Sequence, residues 1–425
     1  MMPARAFAGK RYAVLGLART GLSVVDYLWR SSASVSAWDD REEAREQVAN
    51  KATLADPLEL DLSKFDGVVV SPGVPINRHP IADKAREAEV PLIGDIELFA
   101  QARPELPAHM VVGITGTNGK STTTALIHHI VETAGVPTRL GGNIGKPILG
   151  EQELPEGGVY VLELSSFQID LTQRLDCDVA VLLNITPDHL DRYENLDAYA
   201  AAKARLFEMQ SPDHASIIAI DDEPSRKIAS ETYGVVIQIS AGGCMDQSNW
   251  PSLHGPHNAQ NAIAAMSAAR RLGISEEAIE EGLRTFPGLP HRMERVADKG
   301  GVLFVNDSKA TNPTSTAPAI AAYPAIHWIL GGRAKSSDLD ACEPYFGNIR
   351  AAYTVGETAE MFESLLKPWM PVRNCGTIRK AVKLAAEAAQ PGETVLLSPA
   401  CASFDQYSDF EERGDDFRAA VGSLS

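Results

Sequence analysis

No two cysteines of this chain stand in a C-x-x-C arrangement. The five (Cys177, Cys244, Cys342, Cys375 and Cys401) are odd in number and widely spaced. That argues against a disulfide framework and a structural zinc site, and for reduced thiols in a cytoplasm. Long apolar runs are lacking too. The stretch from Tyr12 to Ala18 stops at Arg19, and nothing approaches the roughly 18 continuous apolar residues of a membrane span. Neither an export signal nor a membrane partner is expected. Positive charge is scarce: with 39 Lys and Arg against 56 Asp and Glu, the net charge is −17. Such a chain is poorly suited to hold a nucleic-acid backbone, so an anionic ligand must be held by local backbone amides and a few basic side chains. Internal repeats and low-complexity tracts are also missing.

What is present is strand–helix alternation. At 425 residues the length suggests roughly two to four domains. Apolar runs at 11–18, 34–39 and 67–73 read as strands of a first unit; runs at 110–116, 159–166, 179–187 and 216–221 as a second; and runs at 302–307, 326–332, 352–356 and 394–399 as a third. The pattern is that of an α/β protein with mainly parallel sheets. Boundaries fall near 98 and 288, giving domains 1–98, 99–288 and 289–425. Polar residues cluster where the apolar strands end, at Thr115, Glu163, Asn184, Asp307, Gly331 and Ser398. In open parallel sheets that edge is where ligands bind, which predicts sites facing a shared cleft. Loops are polar in any case, but six such strand ends exceed what that alone explains.

The stretch GITGTNGKSTTT (113–124) ends as a phosphate-binding loop ends, yet has Ile114 where G-x-x-x-x-G-K-[ST] wants its first glycine. A strand before it and a helix after it predict a nucleoside triphosphate site rather than a plain capped turn. The amides of Gly116, Thr117, Asn118 and Gly119 would face phosphate oxygens. Lys120 would supply charge, and the Ser121 or Thr122 hydroxyl would ligate Mg²⁺. Glu163, ending a neighbouring strand, is placed to hold that metal, or else to cap the next turn. In NITPDHLDRY (184–193), Asp188, His189 and Asp191 taken alone read as a capping aspartate and an incidental histidine. GLARTG (16–21), with Asp39 and Asp40 about twenty residues on, has the dinucleotide layout with Ala18 in place of the second glycine. That loss weakens an NAD assignment and leaves some nucleotide or sugar-nucleotide phosphate at the helix N-terminus. Lys203, in DAYAAAKARLFE, reads by pattern as a solvated lysine.

Taken together, GDIELF (94–99), TGTNGKST (115–122), GGNIG (141–145), LELSSFQ (162–168), DHLDRY (188–193), AAKARLFE (201–208), HNAQNA (257–262), GLPHRME (288–294), NDSKATN (306–312), GGRAKSSD (331–338) and SPACASFDQY (398–407) resemble the Mur ligases of peptidoglycan synthesis. TGTNGKST marks the wider superfamily; NDSKATN and SPACASFDQ point to its D-glutamate-adding branch. The resemblance covers essentially the whole chain. It implies a Rossmann-like N-terminal domain, a central P-loop ATPase-like parallel-sheet domain and a C-terminal Rossmann-like α/β domain. The implied reaction is ATP-dependent joining of D-glutamate to UDP-N-acetylmuramoyl-L-alanine through an acyl phosphate, by a cytoplasmic, monomeric enzyme with no nucleic-acid partner. The UDP-substrate would meet Leu17, Ala18, Arg19, Thr20, Asp39, Ser71, Asn143, Ser165 and Gln168. ATP would meet the loop together with Asn261, Arg292 and Asp307. D-glutamate would meet Thr311, Lys335, Ser403 and Phe410. Two Mg²⁺ ions would be held by Ser121, Glu163, His189 and a CO₂-derived carbamate on Lys203, with Lys120, Glu163, His189 and Lys203 as the catalytic set. The stretch AGGCMDQSNWPS (241–252) is shorter than the family pattern. The rivals are another amino-acid ligase of the superfamily, such as one acting on folate, a nicotinamide-dependent oxidoreductase or sensor built on GLARTG, and a P-loop nucleic-acid motor.

Overall fold

A computed structural model describes all residues except 190–191, 243–245, 335–337 and 425, and the side chain at 257. Two compact units emerge: Met1–Gly243 with Gln260–Leu283, and Cys244–Ala259 with Arg284–Ser425. The first unit carries two sheets. In one, β1 (Arg11–Leu15), β2 (Ser34–Trp38), β3 (Thr53–Leu54), β4 (Gly67–Val70) and β5 (Leu92–Ile93) lie in the order 3-2-1-4-5, all parallel. In the other, β6 (His109–Thr115), β7 (Thr138–Gly142), β8 (Gly158–Glu163), β9 (Val179–Leu182), β10 (Ala215–Ala219) and β11 (Val235–Ile239) lie in the order 11-10-9-6-8-7, again parallel. The second unit has β12 (Glu294–Lys299), β13 (Val302–Asn306), β14 (Ile326–Gly331), β15 (Ile349–Val355), β16 (Val372–Gly376) and β17 (Thr394–Leu397), in the order 12-13-17-14-15-16. There β12 alone is antiparallel.

The central strands are buried along their length: GVVV in β4, GVYVLE in β8, VAVL in β9, IHWILG in β14 and TVLL in β17. Helices cover both faces, so continuous apolar strands are what a parallel sheet requires. β3, β5, β7, β11, β12 and β16 were not among the expected strands. They are short or lie at sheet edges, and TRLGG or ERVADK carries too little apolar character to stand out. Among the described residues no helix is long and apolar enough to cross a membrane, and the described cysteines are all free and buried.

Strand order reverses at one place in each sheet, and in open parallel sheets that is where ligand crevices form. In the first sheet this lies between β1 and β4. Gly16 turns with φ +88, and a Cβ on Gly21 would stand 1.9 Å from the Gly16 carbonyl oxygen. Gly21, the second glycine of GLARTG, is therefore needed for helix Arg19–Arg30 to approach the turn. Gly21→Ala should cost about 1–3 kcal/mol of stability, measured as a lower urea midpoint; a wild-type midpoint would refute this account of the packing.

Candidate active site

In the second sheet the reversal places the loop after β6 beside the loop after β9. Ile114 is still inside β6, fully buried and paired across to Glu163 and Val181, so the turn begins later than in the usual pattern. Gly116 (φ +147) and Gly119 (φ +85) carry it, and Gly119 caps helix Lys120–Thr133. Thr117 N–H donates to the Asn184 carbonyl (2.8 Å) and Asn118 N–H to Asn184 Oδ1 (2.9 Å). Those two amides brace the loop, and the amides left for an anion are those opening the helix, whose first turn has no preceding carbonyls. Lys120 Nζ curls back to the carbonyls of Gly116 (2.9 Å) and Thr117 (2.8 Å), so it stands over the turn. Ser121 is buried and Thr122 half-buried on the same helical turn. Asn261 reaches this loop from a distant helix: its Oδ1 accepts from Thr123 Oγ1 (3.1 Å) and would meet a Cβ on Gly119 at 2.4 Å.

Beside the loop, Glu163 ends β8 with its carboxylate 2% exposed. Asn143 Nδ2 donates to Oε1 (2.8 Å), while Oε2 is buried without a partner among the described residues. A buried carboxylate oxygen left this way calls for a cation or a donor. Lys203 departs from the solvated lysine its helical pattern suggested. It is 1% exposed on the face of helix Leu196–Glu208 that also buries Tyr199 and Leu206. Asn195 caps that helix by accepting from Ala198 N–H, and Tyr199, Ala200, Ala202, Leu206 and Phe207 are buried with Lys203. Lys203 Nζ donates to the Gly116 carbonyl (2.9 Å) and lies 4.5 Å from the Tyr199 ring centroid. Among the described residues it has no ion-pair partner; burial, and then the nearby Lys120 charge, hold its pKa well below the ordinary lysine value. His189, in left-handed backbone (φ +55), is exposed beside Asp188 (Nε2 to Oδ2, 3.6 Å) and packs edge-on against Phe167. Asp191 lies outside the described residues. No group of three or more His, Cys, Asp or Glu side chains gathers among the described residues. A Mg²⁺ here would lean on few carboxylates and complete its shell with water and phosphate oxygens, as that ion ordinarily does; the orphaned Glu163 oxygen fits it.

A crevice of about 320 Å³ is lined by Ala18, Arg19, Thr20, Asp39, Ser71, Asn143 and Gln168, among others. The residues expected for the UDP-substrate thus meet in one cavity, except Leu17 and Ser165. Leu17 is buried and its N–H donates to Asp39 Oδ2 (2.7 Å), while Ser165 caps helix Ser166–Asp170 in a reciprocal pair with Gln168. Asp39 also accepts from Arg41, and that hydrogen bond, opposed by partial burial, holds its carboxyl down at about 2. Asp39 therefore fixes the glycine turn as well as facing the crevice.

In the second unit Asp307 follows β13, with Ser398 Oγ donating to its Oδ2 (2.8 Å) and Met293 N–H to its Oδ1 (3.2 Å). Burial pushes its pKa up to about 7, against the Ser398 hydrogen bond. Arg292 is half-buried next to Met293, where His291, Met293 and Ala400 adopt left-handed backbone. Thr311 is half-buried one residue before the Asn312 cap, and Ser403 is buried with its carbonyl accepting from Gln406 and Tyr407 N–H. Phe410 opens helix Phe410–Gly422 with Lys309 Nζ 3.8 Å from its ring centroid. Lys335 lies outside the described residues, as does part of the short 241–252 segment. Sequence reasoning assigned no role to Arg413, 2% exposed, whose Nη1 is buried without a partner among the described residues. Nor did it assign one to Asn184 beyond its place at a strand end.

Family models match in chain order. "Mur ligase MurD-like, N-terminal domain" covers 10–94, "Mur ligase middle domain" 114–250 and "Mur ligase, glutamate ligase domain" 291–401. Two relatives named UDP-N-acetylmuramoylalanine–D-glutamate ligase are 61% identical (Novosphingobium aromaticivorans; all of this chain, 97% of the relative) and 59% identical (Sphingopyxis alaskensis; all of both). A crystal structure of MurF from Acinetobacter baumannii covers 91% of each chain at 18% identity with a TM-score of 0.60. One of MurC from Thermotoga maritima covers 97% of this chain and 99% of its own at 15% identity with a TM-score of 0.58. These two speak for the fold, and the full-length relatives for descent: the chain belongs to the Mur ligase family.

Proposed function

We propose that this chain is the ATP-dependent ligase that joins D-glutamate to UDP-N-acetylmuramoyl-L-alanine in cytoplasmic peptidoglycan precursor synthesis. The observation that carries this reading is full-length identity of 53–61% to relatives named for that activity. The domains run 1–98 for the UDP-substrate, 99–288 for ATP and 289–425 for the amino acid, and the protein works as a monomer. A carboxylate is a poor electrophile, so the terminal phosphoryl group of ATP passes to the alanyl carboxylate, giving an acyl phosphate and ADP. The neutral amine of D-glutamate then attacks the acyl carbon, phosphate leaves, and the nitrogen sheds its proton. The amides opening helix Lys120–Thr133 and the Lys120 ammonium oppose charge on the transferred group. Asn261, Arg292 and Asp307 position ATP, and Thr311, Lys335, Ser403 and Phe410 receive D-glutamate. Leu17–Thr20, Asp39, Ser71, Asn143, Ser165 and Gln168 hold the UDP-substrate.

Mg²⁺, when bound, neutralises phosphate charge; we assign its two ions to Ser121, Glu163, His189 and Lys203. The buried, desolvated Lys203 supports conversion to a carbamate: its neutral amine adds to CO₂ and loses one proton, giving an anionic oxygen donor suited to the metal. The direct test of the whole reading is ADP release with both substrates present and with each omitted in turn; release that ignores D-glutamate would overturn it. Lys120→Ala should lower ligation by at least about a hundredfold, and near-normal turnover by the folded variant would remove Lys120 from the phosphate site. Lys203→Ala should be nearly inactive and partly restored by acetate, with Lys203→Arg remaining inactive. Isotope-labelled bicarbonate should give a carbamate resonance that both variants lose; an active arginine variant would refute the carbamate. Lys335→Ala should raise the KM for D-glutamate far more than that for ATP, because a pocket built for two carboxylates then leaves one unpaired. The reverse pattern would assign Lys335 to the nucleotide.

A further inference from the structure

Arg192 belongs to none of the sites above, yet it joins two of them. It leaves the loop after β9 and donates from Nη2 to the carbonyls of Pro72 (3.0 Å) and Val74 (3.1 Å), and from Nη1 to Val74 again (3.1 Å). Pro72 and Val74 line the UDP-substrate crevice. In return Asn77 Nδ2 donates to the Arg192 carbonyl (3.2 Å). Packing alone does not hold these segments together: a cavity of about 220 Å³, lined by Val74, Ile76, Phe167 and Leu171 among others, lies where they face each other. The Arg192 guanidinium also sits 3.9 Å from the Phe167 ring centroid, and that ring meets the His189 imidazole edge-on at 4.9 Å as well as stacking on Tyr193 at 6.0 Å. The Arg192 and Tyr193 amides both donate to the His189 carbonyl (2.9 and 3.2 Å), closing the turn that carries the histidine in its left-handed conformation.

We propose that Arg192 is a positioning residue that ties the substrate-lining segment 72–77 to the His189 turn, so that seating the UDP-substrate and orienting His189 are one event. The proposal rests on the UDP-substrate reading of the crevice. A guanidinium suits the task because its planar fork donates to two carbonyls while its face lies on an aromatic ring, whereas an ammonium is a compact point charge without that planar fork. Two functions follow from the two contacts. The carbonyl bonds govern how well the segment receives substrate. The ring contact governs where His189 sits.

The test uses the full-length protein and separates them. Arg192→Met should weaken UDP-N-acetylmuramoyl-L-alanine binding in calorimetry at least tenfold and lower kcat about tenfold, with the Kd for ATP changed less than twofold. Arg192→Lys should regain little of either. Phe167→Leu, which leaves the carbonyl bonds in place, should lower kcat while leaving the Kd for the UDP-substrate within twofold. Hydrogen exchange at the amides of Val74, Ile76 and Asn77 should quicken in Arg192→Met and not in Phe167→Leu. Wild-type substrate affinity and exchange in Arg192→Met, or full rescue by lysine, would overturn the proposal, as would a Phe167→Leu variant that loses substrate affinity as Arg192→Met does. If the wild-type protein failed to ligate D-glutamate, the functional reading would fall, while the exchange difference at 74–77 would still report the tether.

Discussion

Asn184 grips the phosphate loop through three bonds. Its carbonyl accepts from Thr117 N–H, its Oδ1 from Asn118 N–H, and its Nδ2 donates to the Asn118 carbonyl. The same Nδ2 reaches Gln260 Oε1 (3.1 Å), which anchors the helix bearing Asn261. Thr117 Oγ1 adds a bond from Thr186 N–H (3.0 Å). A short loop with so many amides would otherwise be free to collapse or to turn its N–H groups away, and preorganised donors are what an anionic transition state needs. With Thr117 and Asn118 committed to Asn184, the loop's direction is fixed and the helix opening after Gly119 becomes the anion-facing surface. The absent first glycine then has a physical reason: Ile114 has not left the sheet, and Gly116 makes the turn instead.

Next to that rigid loop stand two groups that the fold leaves incomplete. Glu163 keeps one oxygen buried and unpaired, and Lys203 is buried without an ion-pair partner among the described residues. Burying polar groups without full partners costs free energy, so neither is explained by stability. Both stand beside the glycine loop after β6, Lys203 directly on the Gly116 carbonyl. Arg413 in the second unit repeats the pattern with its buried Nη1. Groups that destabilise a protein without a ligand and would be satisfied by one mark binding sites more specifically than exposed polar residues do.

Much of this was legible in the sequence. The buried strands declared themselves by apolar runs, and polar residues such as Glu163 and Asp307 stand at their ends as the sequence suggested. Edge strands such as β3 and β5, with two residues each, leave no periodic signal to read. The burial of Lys203 was invisible to a helical pattern, because AYAAAKA presents alanine on several faces and nothing local says which face packs. The resemblance to the Mur ligases, not periodicity, assigned that lysine a role. Arg192 and Phe167 were hidden for a different reason: their importance lies in contacts to residues more than a hundred positions away or across a turn, and such pairings leave no mark in a single chain.

The three sheets meet one structural demand in the same way. Where strand order reverses, two adjacent loops diverge, and the crevice between them would be soft without a bridge. In the first sheet Ser71 Oγ donates to the Gly16 carbonyl (2.7 Å). In the second, Asn184 crosses to the phosphate loop. In the third, Ser398 Oγ donates to Asp307 (2.8 Å) and lies 3.1 Å from Thr316 Oγ1, which itself accepts from Ala400 N–H. Each bridge is a small polar side chain at the end of one strand, tying that strand end to the loop beside it. The same strand-end position thus carries a glycine turn in the first sheet, a lysine-bearing loop in the second and a buried aspartate in the third.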